Sequence, residues 1–143
     1  MALDRKGPKV CFQMLNYLVT DSRQITQSIR EFVDTPIINS DTIKMMWEVY
    51  LRNGDNGMIQ YAAPMMRKSF KGLSPAYVEV AEFDPLRDEG IEYAKAMKED
   101  GVSVELVQTK GTVHGYDMIQ TSSIAKESIE KRVRALKNVF NIK

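Results

Sequence analysis

The chain has 143 residues and a formal charge of +1, from 20 Lys and Arg against 19 Asp and Glu, which is the length of one ordinary globular domain. With 43% hydrophobic residues, one His and one Cys, it can bury a core, and it excludes a disordered chain, a zinc site built from several Cys and His, and an internal disulfide. The balanced charge argues against a nucleic-acid partner, and without any apolar stretch near the ~20 residues that cross a bilayer we expect a cytoplasmic protein without a membrane span.

The first half of the chain predicts one strand and two helices. Residues 10–19 form an apolar run that is typical of a strand buried on both faces of a parallel sheet, although periodicity alone leaves a helix open. Helical spacing then predicts a helix that ends at Pro36, and a second helix that begins at Ser40 or Asp41 and ends at Asn53. The apolar positions of these helices are Ile25, Ile29, Phe32 and Val33 in the first, and Ile43, Met46, Trp47, Tyr50 and Leu51 in the second.

The second half is more regular, after a predicted loop over residues 55–72. Residues 76–81 and 102–107 predict strands, and the helix between them ends at Asp100-Gly101. A final helix carries an apolar stripe that we expect to be buried, formed by Ile124, Ile129, Val133, Leu136 and Phe140. Strand, helix, strand and helix in this order predict a right-handed crossover and a parallel sheet covered by helices.

Two residues lie beyond the ends of the predicted strands, Asp84 just past the first and His114 in the loop 110–116 beyond the second. In an open parallel sheet ligands bind beyond the carboxyl ends of the strands, where Asp84 and His114 lie. An Asp that accepts a hydrogen bond from an imidazole prepares it as a general base for acyl transfer. The alternative is that Asp84 only begins a helix before Pro85 and that His114 is a surface group.

The sequence segments around these residues resemble those of a known family. Residues 73–90, with Phe83-Asp-Pro-Leu-Arg-Asp-Glu-Gly90, followed by His114-Gly115, are similar to the C-terminal part of α/β-hydrolases, specifically the hormone-sensitive lipase-like esterases. The resemblance implies that Asp84 is the acid and His114 the base of a Ser-Asp-His triad. It also implies that residues 1–143 are the C-terminal half of the catalytic domain, a partial three-layer α/β fold with about three parallel strands, and that residues 22–61 form a lid.

The third member of such a triad has no counterpart here. The family's serine precedes the Asp in a G-x-S-x-G turn, and an HGGG-type loop supplies part of the oxyanion hole; neither motif occurs in this sequence. We therefore expect the nucleophile to lie before residue 1. We expect Cys11 to be a small buried core residue at the opposite end of the first strand rather than a substitute nucleophile.

Two functional hypotheses follow. In the first, the chain is the C-terminal part of a serine carboxylesterase or lipase-like hydrolase of small esters, inactive alone. In the second, it is a non-catalytic assembly module whose first strand is an open sheet edge that pairs with a second copy or with a separate N-terminal half, giving a dimer or larger oligomer. We further expect Asp88 and Glu89 to be helix-start capping groups, and Trp47 and Tyr50 to join the lid to the core.

Overall fold

The chain folds as one three-stranded parallel sheet with helices, in a computed structural model that describes residues 1–142. The strands are β1 (Gln13–Asn16), β2 (Ala76–Phe83) and β3 (Val104–Val113). The helices are α1 (Gln27–Glu31), α2 (Ser40–Tyr50), α3 (Ile59–Ala62), α4 (Arg87–Glu99) and α5 (Ser123–Phe140). Two short 3-10 turns lie at Pro64–Met66 and Tyr116–Met118.

The central strand β2 has two chemically different faces. The strand order is β1-β2-β3 with both pairs parallel, and α4 connects β2 to β3. On one face Val78 and Val80 pack in an apolar cluster with Met97 of α4. On the other face Glu79 binds Arg132 of α5. Helices therefore cover opposite faces of the sheet, and the predicted α/β fold class with three parallel strands is confirmed.

The first strand is much shorter than predicted. β1 has only four residues, all of them half-buried, so the prediction of a strand over residues 10–19 that is buried on both faces was wrong. The ladder begins at Gln13, whose N–H donates to the carbonyl of Pro75 at 2.9 Å. It ends at Tyr17, whose φ of 52° lies in the left-handed region and turns the chain away from an extended path.

The segment between β1 and β2 packs a second small core. Trp47 and Ile43 of α2 are buried with Ile29 of α1 and with Leu86, so the predicted contact of Trp47 with the core is confirmed. Tyr50 is 64% exposed, and that part of the prediction was wrong.

Several local predictions in this segment also fail. The side chain that caps α2 belongs to Asn39, which accepts from the Thr42 N–H, rather than to Ser40 or Asp41. Residues 55–72, predicted as loop, contain α3 and a 3-10 turn. Ile25 and Val33, predicted on the apolar side of the first helix, are exposed.

Glu89 connects α4 to the segment after β1 instead of capping its own helix. It is 1% exposed, and its Oε1 accepts from the backbone N–H of Thr20 at 2.5 Å and of Asp21 at 3.3 Å. Asp88 likewise accepts from the Ser28 N–H at 2.8 Å. The capping role predicted for this pair was wrong, because both carboxylates bind backbone amides that lie 60 to 69 residues earlier in the chain.

The last helix buries a different face from the one that its hydrophobicity predicts. The buried residues of α5 are Ala125, Ser128 and Ala135. Four of the five residues of the predicted buried stripe are at least 39% exposed, namely Ile124, Ile129, Val133 and Phe140. The reason is that α5 faces the polar side of β2, so its buried face carries small and polar residues.

Among residues 1–142, none of the helices combines the length and the hydrophobicity that a membrane-spanning helix needs.

The close packing of α4 against β2 leads to a first prediction, for Gly90→Ala. A Cβ at Gly90 would lie 2.6 Å from Cγ1 of Val80 and 3.0 Å from Cδ2 of Leu18, and β-branched Val80 cannot turn aside freely. We expect a loss of about 1–3 kcal/mol in the free energy of unfolding, despite the better helix propensity of Ala. Denaturant titration measures it. Gly7→Ala, where the nearest atom is 3.5 Å away, is the control, and equal stability of both variants would contradict the prediction.

Glu89 leads to a second prediction, on pH. Burial raises the pKa of Glu89 to about 7, so between pH 5 and 7 the folded chain keeps a proton that the unfolded chain has released. The contribution of this group to stability is therefore complete below its unfolded pKa and declines as the pH rises toward 7. Glu89→Gln keeps an acceptor oxygen but cannot titrate. Relative to the unsubstituted chain, we expect the free energy of unfolding of Glu89→Gln to rise by about 2 kcal/mol from pH 5 to pH 7.

The matched control for this pH series is Asp88→Asn. Burial raises the pKa of Asp88, but hydrogen bonds from Arg87 and Ser28 outweigh burial and lower it overall. Asp88 is thus ionised above pH 5 in both states, and its replacement should leave the pH slope unchanged. A slope that persists in Glu89→Gln would show that another group is responsible.

Candidate active site

Asp84 and His114 lie side by side because the strands that precede them are paired. Phe83 of β2 pairs with Val113 of β3, and the residue that follows each strand is one of the two predicted site residues. Since the strands are parallel, both side chains emerge at the same edge of the sheet. Oδ2 of Asp84 lies 2.9 Å from Nδ1 of His114.

The hydrogen bonds around Asp84 assign the proton on the imidazole. Asp84 is 1% exposed, and its Oδ1 accepts from the Leu86 N–H at 2.9 Å. An ionised carboxylate only accepts hydrogen bonds, so Nδ1 of His114 donates to Oδ2 and Nε2 is left as an acceptor. Because the His114 side chain is 22% exposed, the ring can be reached from solvent. Asp84 thus both begins the turn into α4 and orients the imidazole.

An irregularity in the β2–β3 ladder places His114 beside Asp84. Between the pairs Ala81–Thr109 and Phe83–Val113, β2 contributes one residue and β3 contributes three. Gly111, with a φ of 67°, lies in the extra stretch, and its N–H donates to Oε2 of Glu82 at 2.6 Å. Such an irregularity re-aims the residues that follow it.

Gly115 then turns the chain after the imidazole. Its φ is also 67°, and a Cβ there would lie 3.3 Å from Cε of Met118. The left-handed backbone favours glycine at this position, and it leads directly into the 3-10 turn at Tyr116–Met118.

The structure adds an aromatic neighbour that sequence reasoning missed. The Tyr17 ring lies against the His114 imidazole, with 4.9 Å between centroids and 46° between planes. Tyr17 also forms an edge-on pair with Tyr116, with 5.9 Å between the ring centroids. The strand predicted over residues 10–19 contains Tyr17. Had that strand been ended at Asn16, the rule that ligands bind at carboxyl ends of strands would have pointed to Tyr17 as well.

A buried ionic network lies beneath these aromatic rings. Glu79 of β2 is 0% exposed. It accepts hydrogen bonds from the hydroxyls of Tyr77 and Tyr116, both at 2.8 Å, and from Nη2 and Nε of Arg132 at 2.5 and 3.2 Å. Arg132 also binds the Asp117 carboxylate.

The two partners on the outer side of this network keep their charges. Burial lowers the pKa of Arg132, but its hydrogen bonds to Glu79 and Asp117 outweigh burial and raise it. Burial raises the pKa of Asp117, and the hydrogen bond from Arg132 outweighs this effect and lowers it. The guanidinium is therefore permanently charged between two carboxylates.

Cys11 lies far from this edge of the sheet. It precedes β1 and lines a cavity of about 1100 Å³ at the amino-terminal ends of the strands, between residues 1–13 and 72–75. Its thiol is free and exposed, so the prediction of a buried core residue was wrong. Within residues 1–142, the only side chain that is hydrogen bonded to the His114 imidazole is Asp84.

Comparison with known proteins relates this geometry to esterases. A sequence profile of the alpha/beta hydrolase fold matches residues 1–118. Carboxylesterase NlhH of Mycobacterium tuberculosis is 33% identical over 145 residues, a match that covers 99% of this chain and 46% of that protein. Esterase LipI of the same species is 38% identical over 120 residues, covering 80% of this chain and 36% of LipI.

Solved structures agree with the sequence comparison. A bacterial heroin esterase superposes with a TM-score of 0.91 at 36% identity, covering 96% of this chain and 45% of the esterase. Esterase LipW from Mycobacterium marinum has the same TM-score of 0.91 at 31% identity, covering 97% of this chain and 44% of LipW. The chain therefore spans about half the length of the relatives it matches.

Proposed function

Because the chain belongs to the alpha/beta hydrolase fold family, in its hormone-sensitive lipase-like branch, we propose that it provides the acid and the base of a serine carboxylic ester hydrolase. Asp84 is the acid that orients the imidazole and His114 is the general base. The proposal rests on one observation above all, the 2.9 Å contact between Asp84 Oδ2 and His114 Nδ1, which leaves Nε2 of a partly exposed ring as the acceptor.

In this reaction the imidazole moves one proton twice. Nε2 of His114 accepts the proton of a serine hydroxyl while the serine oxygen attacks the ester carbonyl carbon. It then donates that proton to the leaving alcohol as the carbon–oxygen bond of the ester breaks. Water repeats the sequence on the acyl-serine and releases the carboxylic acid, while the Asp84 carboxylate stabilises the imidazolium in both halves.

The serine and the oxyanion donors belong, in this proposal, to a part of the fold outside these 143 residues. No serine of the chain lies in a G-x-S-x-G frame. Residues 22–61 act as the lid over the acyl-binding cleft. This assignment is supported by the packing of α1 and α2 against Leu86, two residues after Asp84.

The names of the relatives support carboxylic esters as the substrate class, and we propose small ones. Those relatives carry the names carboxylesterase and esterase, at identities above 30% over most of this chain. We include a cytoplasmic location in the proposal, where the exposed thiol of Cys11 would stay reduced.

A first experiment measures p-nitrophenyl acetate hydrolysis by the chain alone. Without a serine nucleophile and oxyanion donors we expect no turnover above that of His114→Ala, because those groups and substrate binding supply the acceleration. The readout is the initial rate across substrate concentrations. Saturable turnover that is lost in His114→Ala would contradict the proposal that the chain is inactive alone.

The complementary experiment joins the chain to the amino-terminal part of carboxylesterase NlhH. We expect the joined protein to hydrolyse the same ester, and His114→Ala to reduce kcat by about 10³-fold or more. Asp84→Asn should reduce it strongly while preserving the fold, since the amide favours the wrong tautomer of His114. A joined protein that hydrolyses the ester equally well in both variants would refute the assigned roles.

We also propose that the chain pairs with a second copy or with a separately made amino-terminal half. Two observations favour this. Within the described residues β1 is hydrogen bonded to a strand on one side only, and α5 exposes an apolar stripe that includes Ile129, Val133 and Phe140. An open strand edge and a stripe of exposed apolar side chains are each typical of a surface that another chain covers.

Sedimentation velocity at micromolar concentration tests this pairing. Since Gln13 and Tyr17 direct their N–H groups toward β2, alternation directs that of Met14 to the open edge. We expect a dimer or larger species for the chain alone, and a shift toward monomer for Met14→Pro, which removes that edge donor without removing a bond to β2. A compact monomer for the unsubstituted chain would contradict the proposal.

A further inference from the structure

The hydrogen bond to Asp84 does not by itself fix the plane of the His114 ring. One N–H···O contact leaves the imidazole free to pivot about its bond to the carboxylate, and the side chain is partly exposed. The Tyr17 ring supplies the missing restraint, because its centroid lies 4.9 Å from that of the imidazole, with 46° between the two ring planes. Aromatic pairs at this separation add about 0.5–1.5 kcal/mol beyond the area that they bury.

Tyr17 is held in an unfavourable backbone conformation to make this contact. Its φ is 52°, where a side chain with a Cβ is strained by roughly 1–2 kcal/mol. Its N–H still donates to the Glu79 carbonyl at 3.1 Å. The turn therefore begins immediately after the last paired residue of β1 and brings the phenol ring to the carboxyl edge of the sheet.

Arg132 restrains the far side of the same ring. Its Nη2 donates to the Tyr17 hydroxyl at 3.2 Å, and its guanidinium carbon lies 5.8 Å from the ring centroid. Burial raises the pKa of Tyr17, so the phenol remains neutral and keeps its proton. Arg132 is fixed in turn by Glu79 of the central strand and by Asp117, which follows His114 by three residues.

Holding α5 on the sheet does not require this arrangement. A buried ion pair offers little net stability over apolar side chains of similar volume, while it demands defined geometry from its members. Here Arg132 donates a hydrogen bond to the Tyr17 hydroxyl, and the Tyr17 ring contacts the His114 imidazole. The network thus connects the sheet, the last helix and the base in one set of contacts.

We propose that Tyr17 is a positioning residue for the His114 imidazole, and that the Glu79–Arg132 pair acts through Tyr17. Tyr17 selects the ring orientation in which Nδ1 donates to Asp84 and Nε2 points away from it. This inference rests on the proposed function for its catalytic meaning. Its physical content, the state of one imidazole, can be measured without any ester hydrolysis.

The chain has a single His, so its imidazole gives one unambiguous set of NMR signals. Nitrogen-15 shifts report which ring nitrogen carries the proton, and solvent exchange of the Nδ1 proton reports how firmly the bond to Asp84 is held. In the unsubstituted chain we expect the Nδ1–H tautomer and a slowly exchanging proton. In Tyr17→Leu we expect exchange to become about three- to tenfold faster and the other tautomer to appear.

Two further variants separate the ring from its anchor. Tyr17→Phe keeps the ring and loses the hydroxyl contact to Arg132, and Arg132→Lys keeps the charge beside Glu79 and loses the planar fork. Both should give exchange rates between those of the unsubstituted chain and of Tyr17→Leu. If Tyr17→Leu does not fold, these two variants decide the matter, and values equal to those of the unsubstituted chain in both would overturn the proposal.

Tyr93→Leu is the matched control for lost stability. Tyr93 is another buried aromatic residue in an edge-on pair, with Phe70 at 5.2 Å, and it lies in the apolar cluster on the opposite face of the sheet. At equal folded fraction we expect it to leave the His114 signals unchanged. If Tyr93→Leu and Tyr17→Leu changed the exchange of the His114 Nδ1 proton equally, Tyr17 would be an ordinary packing residue and the proposal would be refuted. This outcome does not depend on whether the joined protein hydrolyses esters.

Discussion

The site depends on the parallel register of β2 and β3. The pairing of Phe83 with Val113 sets Asp84 and His114 at one level, and a slip of one residue would send either side chain to the other face of the sheet. The extra residues of β3 around Gly111 are accommodated before this last pair, so the irregularity adjusts the level of His114 without breaking the ladder. Glu82 stabilises the bulged stretch from β2.

The two faces of β2 divide the work of the fold. The face toward α4 is apolar, and it is packed so closely that there is no room for a Cβ at Gly90. Its apolar contacts hold α4 on the sheet. The face toward α5 carries Glu79, a buried carboxyl group whose partners are Arg132 and two tyrosine hydroxyls. The proposed base rests on this second face, where contacts are directional and define positions more sharply than apolar packing does.

Local signals in the sequence predicted the order β2-α4-β3 and the position of Asp84 and His114 at one edge of the sheet, although β3 runs to Val113 rather than ending at residue 107. Alternating β-branched residues, Asp84-Pro85 and the helix stop at Gly101 each act within a few residues of themselves, so their interpretation needed no knowledge of distant partners. The failures involve distant partners. The buried face of α5 is set by Glu79, 53 residues before Arg132, so the hydrophobic stripe indicated the wrong side of the helix. The length of β1 is set by the turn at Tyr17, where the chain departs from β2.

The unequal spacing of the strand pairs along the chain also sets an order of assembly. Ala76 pairs with Val104 across 28 positions, whereas Gln13 pairs with Ala76 across 63, and the entropy of closing a loop grows with its length. The segment from β2 to β3 therefore has the shorter path to its native contacts and should form as a nucleus on which β1 docks later. Tyr17 arrives with β1, so the imidazole would acquire its aromatic neighbour only in the last stage of folding.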